Sequence, residues 1–299
     1  MENPNNPTNL NPFFVTGFCD AEACFHLSIG KNSKYKIGYY VNPGFSIGLH
    51  KKDLSLLEKI QSYFGGIGTI SKQTKNSIQF RIFSIKDLKI IIDHFEKYPL
   101  ITKKQIDYKL FKQALELIEN KEHINLDGFQ KIVNMRASMN KGLPNSLKDS
   151  FSNVTIIEMA FTPLNIQDPN WLAGFAEGEG CFFVKTTKTN KNVSLGFQLT
   201  QHNRDALLIN SFVSFFGCGR VESCNNGLAV NFIVTKLSDL IEKIIPFFNE
   251  YPIIGSKSKD LEDLKKIVKI KISKEHLTPE GFEKILKIKS GMNSLRFKI

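Results

Sequence analysis

Along the chain the apolar spacing alternates between a helical period and a period of two, and it does so in the same order twice. Asn11-Pro12 and Asp168-Pro169 each place a capping residue before a proline suited to the first helical position. The helices they open carry small residues four apart, Gly17 and Ala21 in the first, Gly174 and Gly178 in the second. Phe25, Leu27 and Ile29 then alternate with His26, Ser28 and Gly30, and Phe45, Ile47 and Leu49 with Ser46, Gly48 and His50. In the later half Phe197 and Leu199 alternate with Gln198, Thr200 and His202. Such alternation predicts antiparallel strands with one buried and one solvated face. A helix follows over 53–64 and 205–216, then a second hairpin with Ile78, Phe80 and Ile82 or Val230, Phe232 and Val234 inward. Helical patterns through 107–119 and 260–271 and their successors complete each half. The predicted class is α+β, two αββαββα repeats with antiparallel sheets.

The residues themselves repeat. Phe14-Val-Thr-Gly-Phe-Cys-Asp-Ala-Glu-Ala-Cys-Phe25 returns as Trp171-Leu-Ala-Gly-Phe-Ala-Glu-Gly-Glu-Gly-Cys-Phe182. His50-Lys-Lys-Asp-Leu-Ser-Leu-Leu with Tyr63-Phe-Gly65 answers to His202-Asn-Arg-Asp-Ala-Leu-Leu with Phe215-Phe-Gly217. Tyr98-Pro99 through Lys104 answers to Tyr251-Pro252 through Lys257, and His123 through Phe129 with Ser138-Met-Asn140 answers to His276 through Phe282 with Gly291-Met-Asn293. The offset is 157 at Phe14/Trp171 and 152 at His50/His202, so the second copy is five residues shorter between the first two blocks. This order implies duplication and fusion into a pseudo-symmetric pair. The expected boundaries are a tail over 1–10, a first domain over 11–142, a linker over 143–167 and a second domain over 168–299.

Composition narrows the class. Hydrophobic residues make up 41% and charged residues 23%, as in a globular chain, and no run of eighteen apolar residues predicts a membrane span. The first ten residues fit neither a secretory signal nor a transit peptide. Five cysteines show no CxxC pair and no histidine at finger spacing, so they are read as packing residues. The net charge of +11 points to a polyanionic partner, although charge alone also serves solubility. Gly65-Gly66-Ile67-Gly68 lacks the Lys-Ser/Thr of a phosphate loop and reads as a helix C-cap. His202-Asn203 and Gly38-Tyr39-Tyr40 are too short to count as nuclease signatures.

The chemistry resides in acids at the ends of the first helices: Asp20 and Glu22, Glu177 and Glu179. Carboxylates there oppose the helix dipole. A glycine-bearing helix costs about 1 kcal/mol per glycine against alanine, which packing must offset; the small-residue stripes fit either each other or the helix's own sheet. If the two stripes pack together, the acids converge and divalent cations relieve the repulsion. Metal-flanking carboxylates suit phosphodiester hydrolysis; a purely structural role, as caps or ion-pair partners, is the alternative.

Leu172-Ala-Gly-Phe-Ala-Glu-Gly-Glu-Gly180 resembles the signature of the LAGLIDADG homing endonucleases, and Val15-Thr-Gly-Phe-Cys-Asp-Ala-Glu-Ala23 is a looser copy. From Asn11 onward the chain resembles the single-chain, two-motif members encoded in organellar introns. The resemblance implies that the motif helices form the domain interface and that the sheets form a DNA-binding saddle. It assigns metal binding to Glu22 and Glu179 with the carbonyls of Ala21 and Gly178, and leaves Asp20 and Glu177 structural. Lys104 and Lys257 match lysines near the scissile phosphates, and Gln201 matches a glutamine that orders water. Two departures stand out: Leu49 occupies the first-copy position of Gln201, and Ala23 replaces the usual glycine. The implied metal is Mg2+, with Mn2+ or Ca2+ fitting the same ligands. The implied reaction is a staggered double-strand cut with 3′ overhangs at a long asymmetric site, by a mitochondrial monomer.

By alternation the candidate base contacts in the first half are Ser28, Asn32, Lys34, Lys36, Ser46, Gln79 and Arg81, with Lys72 beside them. In the second half they are Lys185, Thr187, Lys191, Asn192, Gln198, Thr200, His202, Arg220, Glu222 and Asn231. Loop lysines such as Lys31, Lys75, Lys188 and Lys191 suit phosphate contacts. Two rival readings use the same basic surface, an intron RNA-binding maturase and a DNA-binding protein that has lost cleavage. Neither needs Glu22, Glu179, Lys104 and Lys257 together.

Overall fold

The computed structural model describes residues 10–161, 165–187 and 192–293, and the chain divides into two compact units on either side of residue 164. The first unit opens with α1 (Pro12–Glu22), β1 (Ala23–Lys31), β2 (Tyr39–His50), α2 (Leu54–Tyr63), β3 (Thr69–Lys72) and β4 (Ser77–Ile82). It continues with α3 (Ile85–Lys97), α4 (Lys104–Glu119), α5 (Leu126–Ser138) and a short α6 (Asn145–Lys148). The second unit runs α7 (Pro169–Glu179), β5 (Gly180–Thr186), β6 (Val193–His202), α8 (Ala206–Phe216), β7 (Arg220–Cys224) and β8 (Ala229–Val234). There α9 (Leu237–Asp239) passes through a π-helical turn into α10 (Ile245–Glu250), followed by α11 (Lys257–Ile272) and α12 (Pro279–Ser290). Pro246 accounts for the π turn, because it lacks an N–H and its ring crowds the preceding turn. The class is α+β, as expected.

Each sheet is antiparallel and four-stranded, in the order β1-β2-β4-β3 and β5-β6-β8-β7. One face of each is closed by helices over a core of aromatic rings. Phe25 lies 5.4–5.6 Å from Phe45, Phe95 and Phe111 in the first unit. Phe182, Phe197 and Phe248 cluster the same way in the second. The first helices begin as their sequences require: Asn11 Oδ1 accepts from Phe13 N–H at 2.8 Å and Asp168 Oδ1 from Asn170 N–H at 2.8 Å. Every residue over 14–20 and over 171–177 is buried, including Thr16 and the acids Asp20 and Glu177 among otherwise apolar or small residues. The glycine turn after α2 behaves as a C-cap, with Gly65 at φ +78°.

The five-residue difference between the copies lies in the first hairpin. β1 and β2 have 9 and 12 residues where β5 and β6 have 7 and 10, leaving one residue to the connection. The extra strand length has a use. Ile29, Ile37, Tyr39 and Val41 lie under a small core formed with Phe129, Val133, Leu143, Leu147, Phe151 and Val154. The stretch read as a linker from residue 143 therefore starts as part of the first unit. It stays attached along α5, where Ile157 N–H donates to Ser138 Oγ at 2.8 Å and Gln130 Nε2 donates to Asn153 O at 2.8 Å. Its Pro-, Asn- and Ser-rich composition indicated a loop but could not show which surface it covers.

The copies also solve one core position differently. In the first unit Tyr63 Oη lies 3.1 Å from His94 Nδ1, His94 Nε2 lies 3.0 Å from Thr16 Oγ1, and Thr16 Oγ1 donates to Tyr98 O. Because the threonine proton is committed to a carbonyl, the network assigns the Nε2–H tautomer of neutral histidine. Ala173, Phe215 and Phe247 replace these three residues in the second copy. Burial pulls the His94 pKa down to about 3. The unfolded chain takes up this proton near pH 6.5 and the native state does not, so stability is full above pH 6.5 and declines as pH falls toward 3. At pH 5 the loss is about 2 kcal/mol. A Thr16→Ala, Tyr63→Phe, His94→Phe variant is expected to lose less stability than the parent between pH 7.5 and 5 in urea unfolding. An equal loss would show that His94 does not titrate this way.

Candidate active site and nucleic-acid interface

Both first helices end where a strand begins, with no intervening loop. Ala23 follows Glu22 at φ −78°, ψ 155°, and Gly180 follows Glu179 at φ −74°, ψ 148°. The alanine that departs from the motif thus adopts the same extended backbone as the glycine. Glu22 and Glu179 are half-buried at these junctions, as are Ala21 and Gly178. Gln201 lies two residues past the Gly180–Leu199 pair, on the strand end that runs by the second junction. Its Oε1 accepts from the next backbone N–H, that of His202, at 2.8 Å.

The lysines reach the helix ends from a distance of some eighty residues in sequence. Lys104 Nζ donates to Cys19 O at 2.9 Å and Ala21 O at 3.2 Å. Lys257 Nζ donates to Gly178 O. Each ammonium thus sits on last-turn carbonyls at the negative end of the dipole, where Cys19 O also accepts the Ala23 N–H. Burial pushes the Lys104 ammonium below the usual lysine range; the Asp20 charge opposes this most, with Glu22 adding to it. The same burial pushes the Cys19 thiol up, which keeps it an inert packing group.

These observations also test the fit to a metal. A carboxylate and carbonyl oxygens at the end of each helix form an oxygen-only donor set that already attracts a cation, which suits a hard divalent ion. Among the described residues no cluster of three His, Cys, Asp or Glu side chains competes with it as a metal site. The residues that would hold such an ion are Glu22 with Ala21 O, and Glu179 with Gly178 O.

Sequence reasoning missed two features. Asp20 and Glu177, set aside as structural, are buried and bind the backbone of the segments carrying the lysines. Asn140 and Asn293, at φ 52° and 53°, each donate to a buried helix aspartate and to a strand carbonyl. Asn140 N–H donates to Asp107 Oδ1 at 2.9 Å and its Nδ2 to Phe25 O at 2.9 Å; Asn293 does the same with Asp260 and Phe182 at 2.9 and 3.0 Å. The repeated Met-Asn pair was the available signal, but nothing local named its partners.

The polar sheet faces divide the remaining candidates. In the first sheet Ser28, Gln79 and Arg81 lie on the face away from the helices, with Arg81 Nε donating to Gln79 Oε1 at 2.6 Å. Ser46 shares that face but is buried between Cys24 and Arg81, so alternation overstated its access. Lys72 pairs with Ile78 and therefore falls on the opposite face. Asn32, Lys34 and Lys36 are not strand residues: β1 ends at Lys31, and Asn32 Oδ1 accepts from Lys34 N–H at 3.0 Å to shape the turn. Lys31 and Lys75 are exposed.

In the second sheet Lys185, Gln198, Thr200, Asn231, Arg220 and Glu222 share the outward face. Arg220 Nε donates to Glu222 Oε1 at 2.6 Å, Gln198 Nε2 donates to Thr200 Oγ1 at 2.9 Å, and Asn231 Oδ1 is buried with no hydrogen-bond partner among the described residues. Thr187 and Asn192 bracket the hairpin connection, the former donating its N–H to the latter's carbonyl at 3.0 Å. Lys188 and Lys191 lie outside the described residues. His202 Nδ1 accepts from Arg204 N–H at 3.1 Å, as His50 Nδ1 does from Lys52 N–H at 3.2 Å, so the repeated histidine has a local turn-capping reason.

Two αββαββα units, each ending a buried helix on an acid beside a lysine and spreading a polar sheet face, define a duplicated α+β protein equipped for phosphate chemistry. The chain belongs to the LAGLIDADG endonuclease family, whose model matches residues 15–115 and again 172–268. It is 42% identical over 296 residues to a probable intron-encoded endonuclease 2 of Neurospora crassa, spanning 95% of this chain and 65% of that protein. The match therefore spans less than two thirds of that relative's length. Among solved structures it is similar to I-SmaMI bound to an uncleaved DNA target in the presence of calcium ions, with a TM-score of 0.92, 46% identity and coverage of 95% of this chain and 99% of that one. I-SmaMI has also been solved bound to cleaved DNA. The LAGLIDADG homing endonuclease I-GzeII in complex with its DNA target aligns with a TM-score of 0.91 and 43% identity, over 96% of this chain and 100% of that one.

Proposed function

We propose that the chain is a monomeric, site-specific endonuclease that hydrolyses both strands of a long asymmetric DNA duplex, leaving 3′ overhangs, in the mitochondrion that encodes it. The carrying observation is the duplicated arrangement of Glu22, Ala21 O and Lys104, answered by Glu179, Gly178 O and Lys257. Each unit then serves one strand. Glu22 with Ala21 O, and Glu179 with Gly178 O, would hold Mg2+, and Mn2+ or Ca2+ would fit the same ligands. A divalent ion bound there supplies Lewis acidity and a more acidic water. Lys104 and Lys257 bring positive charge to the phosphate whose charge rises in the transition state. Gln201 orients water in the second unit through its amide, a service Leu49 cannot provide in the first.

The two polar faces carry different side chains, which supports an asymmetric target. Exposed lysines position the backbone, while Gln79, Arg81, Gln198 and Asn231 present amide and guanidinium groups suited to base edges. Selection of cleaved sequences from a randomised duplex library in Mg2+ tests the reading and delivers the target. One long non-palindromic consensus is expected. Failure to enrich any cleaved sequence would reject it.

A further inference from the structure

We infer that Asp20 and Glu177 are positioning residues that seat Lys104 and Lys257 on the helix-end carbonyls. The inference rests on the reading of those lysines as participants in cleavage. Asp20 is only 1% exposed, and its carboxylate accepts from Ile101 N–H at 3.0 Å, Thr102 N–H at 3.3 Å and Thr102 Oγ1 at 2.5 Å. Thr102 Oγ1 in turn accepts from Lys104 N–H at 3.2 Å. The carboxylate is thus linked through one hydroxyl to the backbone of the lysine. At the other end of that side chain, the ammonium returns to the carbonyls of Cys19 and Ala21, the two residues flanking Asp20. Backbone and side-chain tip of Lys104 are both referred to the same helical turn.

The second unit builds the same clasp with different parts. Glu177 Oε2 accepts from Ile254 N–H at 2.8 Å and Gly255 N–H at 2.7 Å, and Lys257 Nζ reaches the carbonyl of Gly178, next to Glu177. Gly255 stands where the first unit has Thr102, so the Thr102 hydroxyl has no counterpart at that position, and the longer glutamate accepts from two successive backbone N–H groups. The equivalent backbone N–H groups, those of Ile101 and Ile254 and of Thr102 and Gly255, bind the acid in both copies although the acid itself differs, which argues that the geometry is what matters. A carboxylate serves here because it accepts several N–H groups at once and balances a buried ammonium.

Strand-resolved cleavage of the duplex recovered by selection, each strand bearing its own fluorophore, tests the inference. Asp20→Asn is expected to slow cleavage at least about tenfold, with the strand pattern of Lys104→Ala, and Glu177→Gln with that of Lys257→Ala. Affinity for the duplex in Ca2+, read by anisotropy, should stay near that of the parent. Asp20→Glu, which installs the second unit's acid, should restore most of the rate. In the Lys104→Ala background Asp20→Asn should slow cleavage less than about twofold further, because the two changes remove one function. Unchanged rates in Asp20→Asn, or full additivity in the double variant, overturns the inference. If Asp20→Asn fails to fold, Thr102→Val breaks the hydroxyl link and carries the same expectations. Parental cleavage by Lys104→Ala would instead remove the reading of the lysines, and the inference with it.

Discussion

Glu22→Gln and Glu179→Gln are each expected to end linearisation of a plasmid carrying the target, while leaving binding to the duplex nearly intact. The substitution preserves shape and removes only charge and a strong oxygen ligand. Both acids stand half-buried at a helix–strand junction, beside carbonyls that already collect an ammonium. A cation held there loses its one anionic ligand from that unit. Forfeiting about 4 kcal/mol of the stabilisation that a metal supplies corresponds to a rate loss of about a thousandfold. Affinity should hardly change, because the polar sheet faces and exposed lysines proposed to meet the duplex are untouched. Agarose-gel assays in Mg2+ resolve supercoiled, nicked and linear forms, and anisotropy in Ca2+ reads affinity without turnover. Full linearisation by either variant would contradict the assignment; loss of binding in step with cleavage would show that the acids act on the fold.

Gly128→Ala and Gly281→Ala should have the largest effects on stability. Glycine to alanine inside a helix ordinarily gains up to about 1 kcal/mol. Here the sign reverses. Gly128 and Gly281 occupy the first turns of α5 and α12, where Asn125 Oδ1 and Thr278 Oγ1 accept their N–H groups at 2.8 and 3.0 Å. The preceding short turns, entered through Lys121 and Lys274 at φ 60°, fold back so closely that an added Cβ would be driven into the carbonyl oxygens of Glu122 and Glu275. A backbone carbonyl cannot swing aside as a side chain would, so the cost is roughly 2–3 kcal/mol at each site. Urea unfolding of the two single variants measures it. A neutral or stabilising alanine at either position would mean that the turn yields more readily than its hydrogen bonds suggest.

The repeated His-x-x-x-[Asp/Glu]-Gly-Phe block was visible before any fold was known, and so was the repeated Tyr-Pro with its following lysine. What these repeats did was invisible, because the relevant atoms belong to residues far apart in the chain. Gly128 and Gly281 answer to a carbonyl six residues upstream, within reach of local reasoning had the turn been drawn. Lys104 answers to carbonyls more than eighty residues away, and Asn140 to a carbonyl 115 residues away. The polar faces were only partly legible for a related reason. Period-two alternation assigns a side but not where a strand ends, so Asn32, Lys34 and Lys36 passed as strand residues. Lys72, set beside them without a strand register, pairs with Ile78 and so lies on the opposite face.

By itself the sequence determined the duplication, the α+β class and the helix starts at Asn11 and Asp168. Those follow from local periodicity, capping chemistry and a motif written twice, none of which needs a partner. Only the tertiary structure decided that Asp20 and Glu177 grip the lysine-bearing segments, that Ser46 is closed off, and that the stretch after residue 143 covers the lengthened first hairpin. Buried carboxylates must find donors, and extended strand length must find a cover. The sequence states both requirements, but only the folded chain shows which backbone N–H groups and which leucine and phenylalanine side chains meet them.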